Sequence, residues 1–324
     1  MRFDVPEWDA AVDALKRADQ VAIACHVNPD GDALGSLFAA HLGLTRMGKK
    51  TSPTWGEDPV AVPFSYAFLP GAEALVQPSE VAPAEVFLAL DCGAADRLGS
   101  LEPVARASEV IINVDHHPGN DCFGTHNIVV TTVSSTAELV ARLLQDLDVE
   151  IDKDIATCLY TGLVTDTGRF QYTNSTPDTL RMAADLLALG VDATAIAQEV
   201  FESSPFGYLK LVGRVLERAV LFEDVSFVYS WLLLKDLEET GVGMDETDKL
   251  IDAVRSTRAA TVAALFKEQP DGSYRVSMRS KGPRSVGAIA RQRGGGGHEL
   301  AAGFTVSDVE STVAEIRAEL ARGS

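Results

Sequence analysis

The chain has 324 residues and carries 47 aspartates and glutamates against 28 lysines and arginines, a formal net charge of −19. Binding to long nucleic acid depends on many basic contacts to phosphates, so this charge argues against such a partner. The sequence contains no run of roughly 20 apolar residues and no signal-peptide pattern, so we expect a cytoplasmic protein with no membrane partner. The length predicts two domains.

The first half of the chain alternates short apolar runs with helical patterns. The apolar runs cover 21–25, 86–90 and 110–114, and the helical patterns cover 33–47, 135–147, 153–164 and 178–189. The runs have the length and composition of buried strands, whereas the helical patterns repeat apolar residues every three or four positions. Alternation of this kind predicts an α/β fold, in which helices flank a parallel sheet.

The sequence pattern changes near Ser203–Pro205. Strand-like runs follow at 225–234, 261–267 and 273–279, and a helical pattern covers 308–322. This order predicts a smaller α+β domain. We therefore divide the chain into a catalytic metal-binding domain, a linker and a substrate-binding domain, at 1–190, 191–205 and 206–324. We expect the active site in the cleft between the two domains.

Polar side chains stand at the carboxyl ends of the predicted strands. His26 follows the first strand, Asp91 follows the second, and the triplet Asp115-His116-His117 follows the third. Ligands of open α/β sheets bind at this edge, where the strand order switches. The sequence therefore predicts that these side chains share one site.

Three more aspartates belong to the candidate set. Asp30 and Asp32 precede the helix at 33–47, and Asp166 follows the helix at 153–164, where a turn at Gly168 can present it to the same edge. A turn and a helix N-cap are the alternative interpretation of Asp30 and Asp32. Four of the six histidines, at 26, 116, 117 and 298, lie in such polar loops, which favours a site over several unrelated turns.

The candidate ligands are imidazoles and carboxylates without thiolates. This donor set suits Mn²⁺ or Mg²⁺ better than a structural zinc ion, and because carboxylates predominate we expect manganese first. The ligands are too many for a tetrahedral single-metal site with an open position. Two cations about 3.5–4 Å apart activate water and stabilise both the attacking and the leaving oxygen of phosphoryl transfer. The pattern predicts a two-metal hydrolase.

The segment 272–298 contains no acidic residue, although the whole chain is acidic. It carries six arginines and lysines and ends in four glycines and His298. Glycine amides can approach an anion closely, while a flexible loop and a chance basic cluster are the alternatives. We predict a phosphate or terminal-nucleotide site formed by Arg279, Ser280, Gly295, Gly296, Gly297 and His298.

The ordered motifs resemble those of the DHH phosphoesterases. The four motifs correspond to HVNPDGDALGS at 26–36, Asp91, the triplet at 115–117 and DTGRF at 166–170. The sequence GGGGHELAAG at 294–303 is similar to the signature of the associated DHHA1 domain. The resemblance spans nearly the whole chain and implies a DHH domain followed by a DHHA1 domain.

The resemblance also implies a role for each ligand. One manganese ion would be held by His26, Asp30 and Asp91, and the second by Asp32, Asp91, His116 and Asp166. Asp91 would then bridge the two ions. His117 would contact the scissile phosphate, and Asp115 would orient a histidine, as groups behind metal sites commonly do.

Within the family, the domain arrangement most resembles the bifunctional oligoribonuclease and pAp phosphatase enzymes, the nanoRNases. The resemblance implies hydrolysis of short RNA and pApA to mononucleotides, conversion of 3′-phosphoadenosine 5′-phosphate (pAp) to AMP, and a homodimer. A cyclic di-AMP phosphodiesterase is the alternative enzyme. A nucleotide-binding sensor with a degenerate metal site is the alternative from another class, but every expected ligand is present.

Overall fold

The computed structural model describes residues 5–322, and its internal contacts divide the chain after Ser203. Residues 1–4 and 323–324, which belong to the predicted first and last domains, lie outside the described residues. The predicted linker, 191–205, contains a helix over Ala193–Phe201, and Ile196 and Val200 of this helix are buried in the core of the first unit. The catalytic and substrate-binding roles of the two domains stay predictions.

The described part of the first unit contains a five-stranded parallel sheet in the order β2–β1–β3–β4–β5. The strands are β1 Gln20–Cys25, β2 Lys50–Trp55, β3 Val86–Leu90, β4 Val110–Asp115 and β5 His126–Val129. The helices are α1 Trp8–Arg17, α2 Gly31–Arg46, α3 Glu102–Ala107, α4 Thr136–Asp146, α5 Lys153–Asp166, α6 Pro177–Ala188 and α7 Ala193–Phe201. The α/β prediction is confirmed. The strand order reverses between β1 and β3, which is where open sheets bind their ligands.

Glycines allow α2 and α5 to pack closely. A Cβ atom at Gly35 would lie 2.4 Å from the Cys158 carbonyl oxygen, and one at Gly162 would lie 2.7 Å from Asp32 Oδ1. Larger side chains at these positions would separate the two helices. The contact therefore places the first turn of α2 beside the last turns of α5, and each of these turns carries a candidate ligand.

The described part of the second unit contains a six-stranded mixed sheet in the order β10–β11–β9–β8–β7–β6, in which only β7 and β8 are parallel. The strands are β6 Val220–Phe222, β7 Phe227–Leu232, β8 Val262–Glu268, β9 Tyr274–Ser280, β10 Gly296–His298 and β11 Ala301–Val306. The helices are α8 Phe206–Glu217, α9 Leu234–Thr240, α10 Leu250–Arg255, α11 Val286–Arg291 and α12 Val309–Arg322. The α+β prediction for this part of the chain is confirmed.

The sheet of the second unit separates two cores. Phe227, Phe266 and Val276 lie in one core with Ile316 of α12, and another core, which includes Leu265, lies on the opposite face. Among residues 5–322, no helix is long and apolar enough to cross a membrane.

Candidate metal centre

The candidate ligands of the first unit lie at the carboxyl ends of its central strands. His26 directly follows β1, Asp91 directly follows β3, and Asp115 is the last residue of β4. Asp91 has a φ of +59°, a left-handed conformation that costs about 1–3 kcal/mol in a residue other than glycine. Its amide donates to the Val114 carbonyl oxygen at 2.9 Å, so the neighbouring strand holds it in this conformation.

Asp30 and Asp32 occupy the start of α2. Asp30 caps the helix, because its Oδ1 accepts from the amides of Asp32 and Ala33 at 3.0 and 3.1 Å. The same side chain offers a ligand atom within 4.8 Å of those of His26 and Asp91. The capping interpretation and the ligand interpretation are therefore compatible, because a carboxylate has two oxygens.

A second group consists of Asp32, Asp91 and His116, whose ligand atoms also lie within 4.8 Å of one another. His116 Nε2 lies 3.8 Å from Asp32 Oδ2, 3.7 Å from Asp91 Oδ1 and 3.7 Å from Asp166 Oδ2. Asp166 is the last residue of α5, so the helix itself delivers the carboxylate. This group unites residues from α2, β3, β4 and α5.

Asp91 belongs to both groups. Its Oδ2 lies 3.5 Å from His26 Nε2, whereas its Oδ1 lies 3.7 Å from His116 Nε2. Each carboxylate oxygen therefore faces a different imidazole. His26 Nδ1 lies 2.9 Å from the Val27 carbonyl oxygen, and donation from Nδ1 to that oxygen leaves the Nε2 lone pair for a metal. The two differently directed oxygens of Asp91 suit a carboxylate that bridges two cations.

The electrostatics of the cluster fit bound cations. Burial, with the charges of Asp30 and Asp91, raises the pKa of Asp166 to about 7 although the nearby imidazoles oppose it. Burial and the charges of Asp91 and Asp166 raise the pKa of Asp32 well above its usual range. Divalent cations would relieve this repulsion, and the oxygen and nitrogen donors suit them. The residues present therefore fit a divalent metal centre.

The neighbouring cysteines do not add thiolate ligands. Cys25 ends β1 and Cys92 follows Asp91, and both side chains are completely buried. Burial, followed by the negative groups around them, raises the pKa of each thiol well above its usual range. They remain protonated at neutral pH, so the donor set stays one of carboxylates and imidazoles.

Asp115 and His117 form a hydrogen-bonded pair beside the two groups. His117 Nδ1 lies 2.8 Å from Asp115 Oδ1, and Asp115 is completely buried. Burial lowers the pKa of His117, but the hydrogen bond to Asp115 and the charges of Asp91 and Asp115 outweigh this effect and raise it to about 10. His117 is therefore cationic at neutral pH, a charge that suits contact with a phosphate.

The sequence did not predict the residues that hold the carboxylates in place. The amides of Thr136 and Ala137, at the start of α4, donate to Asp32 Oδ2 and Oδ1 at 2.6 and 3.0 Å. Thr136 Oγ1 donates to Asp91 Oδ1 at 2.8 Å. The N-terminus of a helix stabilises a negative charge, so α4 fixes both aspartates. The helical pattern at 135–147 predicts this helix, but it does not predict the contact with the two aspartates.

Polar side chains also support the rest of the cluster. Asn174 Nδ2 donates to Asp166 Oδ2 at 3.3 Å and to the Ser134 carbonyl oxygen at 3.0 Å, so it connects the end of α5 with the segment before α4. Arg97 Nη2 donates at 3.3 Å to the Val27 carbonyl oxygen, which is the oxygen that His26 Nδ1 also approaches. No motif in the sequence marks these two residues.

The predicted substrate-binding residues lie in the second unit. Arg279 and His298 are both register partners of Ala301, so their side chains lie on the same face of the sheet. Strand β11 lies between them, which places their backbones about 10 Å apart. Gly296, Gly297 and His298 form edge strand β10, not a flexible loop, and Gly295 precedes it.

Two of these predicted residues have clear structural constraints. Gly297 has a φ of +123°, and a Cβ atom there would lie 2.6 Å from the Ala301 carbonyl oxygen, so the hairpin requires glycine. Ser280 is buried on the face opposite to Arg279, and its Oγ lies 3.3 Å from the Gly282 carbonyl oxygen. The structure therefore brings Arg279 and His298 onto one face but not Ser280.

The sequence was compared with models of known protein families and with curated relatives. The family model described as "DHH family, N-terminal domain" matches residues 20–163, and the model described as "DHHA1 domain" matches residues 224–322. A relative from Thermus thermophilus, named bifunctional oligoribonuclease and PAP phosphatase NrnA, is 34% identical over 93% of this chain and 90% of its own length. The chain belongs to the DHH family.

A solved structure and a second relative extend the comparison. The crystal structure of an exopolyphosphatase-related protein from Bacteroides fragilis is similar with a TM-score of 0.88 and 25% identity, over 99% of this chain and 98% of that one. A cyclic-di-AMP phosphodiesterase, GdpP, from Geobacillus thermodenitrificans is 30% identical over 66% of this chain but only 32% of its own length. DHH family phosphoesterases are metal-dependent, which agrees with the donor cluster.

Proposed function

We propose that this chain is a metal-dependent phosphoesterase that hydrolyses short oligoribonucleotides, including pApA, to mononucleotides and converts pAp to AMP. The observation that carries the proposal is the convergence of Asp32, Asp91 and His116 beside His26 and Asp30, with Asp91 common to both groups. The similarity to an oligoribonuclease and PAP phosphatase along 93% of the chain supports the substrate class.

The proposed metal is manganese, bound as two ions. One ion would be held by His26, Asp30 and Asp91, and the other by Asp32, Asp91, His116 and Asp166. The two oxygens of Asp91 face different imidazoles, which supports its role as the bridge. When bound, the ions supply an activated water and neutralise charge that develops on the phosphate. Magnesium has a similar preference for oxygen donors and is the second candidate.

His117 is the proposed phosphate contact. Asp115 accepts from Nδ1 at 2.8 Å, so Nε2 is the ring nitrogen that can donate to a phosphate oxygen. In the proposed reaction on pApA, a water oxygen forms a bond to phosphorus and the bond between phosphorus and the 3′ oxygen breaks. The 3′ oxygen leaves with a proton, and two molecules of AMP result. On pAp, the same bond changes yield AMP and inorganic phosphate.

The second unit is the proposed substrate-recognition domain. Arg279 and His298 share a face of the sheet, which supports binding of a terminal phosphate or nucleotide. Glycines 295–297 would bring backbone amides close to this anion. Ser280 belongs to the proposed set through its position next to Arg279, although its side chain lies on the other face. We further propose a cytoplasmic location and a homodimer. Light scattering on the purified protein would test the homodimer.

Hydrolysis assays test the function directly. Purified protein with Mn²⁺ is expected to convert pAp and pApA to AMP, and chelation of the metal should abolish both reactions. On 5′-labelled RNA, the rate should fall as the length increases from a dinucleotide to a long oligonucleotide. Equal rates on both would contradict a short-oligonucleotide enzyme.

Cyclic di-AMP is the alternative substrate, because the similarity to GdpP covers 66% of this chain. Faster turnover of cyclic di-AMP than of pApA would favour this alternative. Failure on pAp, pApA, cyclic di-AMP and short RNA alike would favour a nucleotide-binding sensor.

A further inference from the structure

The turn that follows the Asp115-His116-His117 triplet packs against the carboxyl ends of β3 and β4. Gly119 has a φ of +86° and Cys122 a φ of +54°, so the chain reverses sharply around Asn120. The half-buried side chain of Asn120 contacts Cys92 at the end of β3 and Asp115 at the end of β4. Neither the metal centre nor the proposed function accounts for this asparagine.

Its neighbours determine the orientation of the Asn120 amide. Oδ1 lies 2.7 Å from the backbone amide of Cys122, which can only donate, and Nδ2 lies 3.0 Å from the Cys92 carbonyl oxygen, which can only accept. A reversed amide would place donor against donor and acceptor against acceptor. Nδ2 therefore faces Asp115 and donates to its Oδ2 at 2.6 Å.

The two oxygens of Asp115 are thereby divided between two partners. Asn120 Nδ2 donates to Oδ2, and His117 Nδ1 lies 2.8 Å from Oδ1. The contact with Asn120 is a charge-assisted hydrogen bond to a completely buried carboxylate, so its loss would leave Asp115 Oδ2 without this donor and favour rotation of the carboxylate. A rotated Asp115 would no longer hold His117 Nδ1.

We propose that Asn120 is a positioning residue that sets the orientation of His117 through Asp115. A buried side chain supports Asn120 in turn, because Asn113 Nδ2 donates to Asn120 Oδ1 at 3.2 Å. The inference rests on the proposed phosphoesterase function and deepens it, since it assigns the support of the proposed phosphate contact. A merely structural Asn120 would close the turn without affecting His117.

Asn120→Asp tests the positioning role. Aspartate keeps the acceptor for the Cys122 amide and for Asn113, but it places an oxygen where Nδ2 donates to Asp115 and to the Cys92 carbonyl oxygen. Asn127→Asp is the matched control. Asn127 Oδ1 accepts from the Gly124 amide at 2.9 Å, and its Nδ2 donates to the Gly124 carbonyl oxygen at 3.0 Å. The control therefore adds the same charge to a similar turn on the neighbouring strand, β5.

We expect Asn120→Asp to lower kcat on pApA by about 10- to 100-fold with little change in KM or in the amount of metal bound, the usual loss when a group behind a metal site is removed. We expect Asn127→Asp to stay within about 2-fold of the wild type, because it does not contact Asp115. In the Mg²⁺-loaded protein, the ring ¹⁵N resonances of His117 should shift in Asn120→Asp and not in Asn127→Asp.

An unchanged kcat together with unchanged His117 resonances in folded Asn120→Asp would overturn the proposal. If this variant does not fold, Asn120→Ser provides the same comparison, because serine tolerates the turn but is too short to reach Asp115. If the wild type hydrolyses none of the substrates, the proposed function fails. The His117 resonances of the variants still decide the positioning role in that case.

Discussion

The candidate residues of the two units are held in different ways. In the first unit, Asp32 receives two backbone amides from α4, and Asp115 is held by the side chains of Asn120 and His117. In the second unit, His298 lies on edge strand β10, whose place is set by backbone pairing with β11. The charged cluster is thus held by hydrogen bonds from several elements, and small displacements there would matter for the proposed metal centre. The predicted recognition face can tolerate adjustment.

The largest expected effect is the loss of the carboxylate that belongs to both groups. Asp91→Asn should reduce hydrolysis of pApA by more than about 100-fold, because neither ion would keep its shared ligand. Asp185→Asn changes an exposed aspartate on α6 in the same way and should leave the rate unchanged. Metal titration and rate measurements on both variants check this. Near-native activity of Asp91→Asn would remove the proposed bridge.

A glycine substitution tests how rigid the first unit is. A Cβ atom at Gly162 would lie 2.7 Å from Asp32 Oδ1 and 2.8 Å from Ala137 Cβ, so Gly162→Ala should cost about 1–3 kcal/mol and weaken metal binding. Gly213→Ala is the matched control within helix α8. A Cβ atom there meets no described atom within 4 Å, so this change should stabilise the protein by about 0.5–1 kcal/mol. Thermal unfolding with and without metal gives both values, and equal effects would contradict the rigid contact.

A smaller effect is expected on the recognition face. Arg279→Ala should raise KM for pApA by about 10-fold with little change in kcat. A charge-assisted hydrogen bond to phosphate contributes about 1.5–3 kcal/mol, and an exposed one contributes less. Arg275 lies on the same strand and face, so Arg275→Ala is the control. Steady-state kinetics of Arg279→Ala and Arg275→Ala compares their KM and kcat values. A loss confined to kcat would assign Arg279 to the reaction itself.

The smallest expected effect is a pH dependence of metal-induced stabilisation. In the metal-free protein the pKa of Asp166 is raised to about 7, so the folded state retains a proton that the unfolded state loses near pH 4. The stabilising contribution of this group is present below about pH 4 and is lost as the pH rises through 7. Metal competes with this proton, so the increase in Tm on adding Mg²⁺ should be larger at pH 8 than at pH 6.

Melting curves across this pH range check the prediction, with Asp166→Asn as the variant in which the pH dependence should decrease. An increase in Tm on adding Mg²⁺ that is equal at pH 6 and pH 8 would show that protonation of Asp166 does not compete with metal binding.

The sequence predicted the strand-end residues well, because a buried parallel strand has a recognisable apolar run and its end is marked by the first polar residue. His26, Asp91 and Asp115 were found in this way, and the structure places them at one edge. The contact of Asp32 with Thr136 was not predictable, since the two residues are 104 positions apart and only the packing of α2 and α4 brings them together.

The predicted linker and the glycine cluster were harder to interpret for a related reason. The helix Ala193–Phe201 packs on the first unit through Ile196 and Val200, and such packing leaves little trace in composition. Gly296–His298 forms an edge strand although glycine has a low strand propensity, because β11 supplies the partner.

The contact between Asp32 and the start of α4 has a consequence for how the first unit unfolds. It closes a chain loop of 104 residues, and the neighbouring bond from Thr136 to Asp91 closes a second loop inside it. A bound cation held by the same aspartates would bind the folded chain and not the unfolded one, and would therefore stabilise the fold by mass action. The ion would then be a cofactor for folding as well as for hydrolysis, since its binding site exists only when segments distant in the sequence have already met.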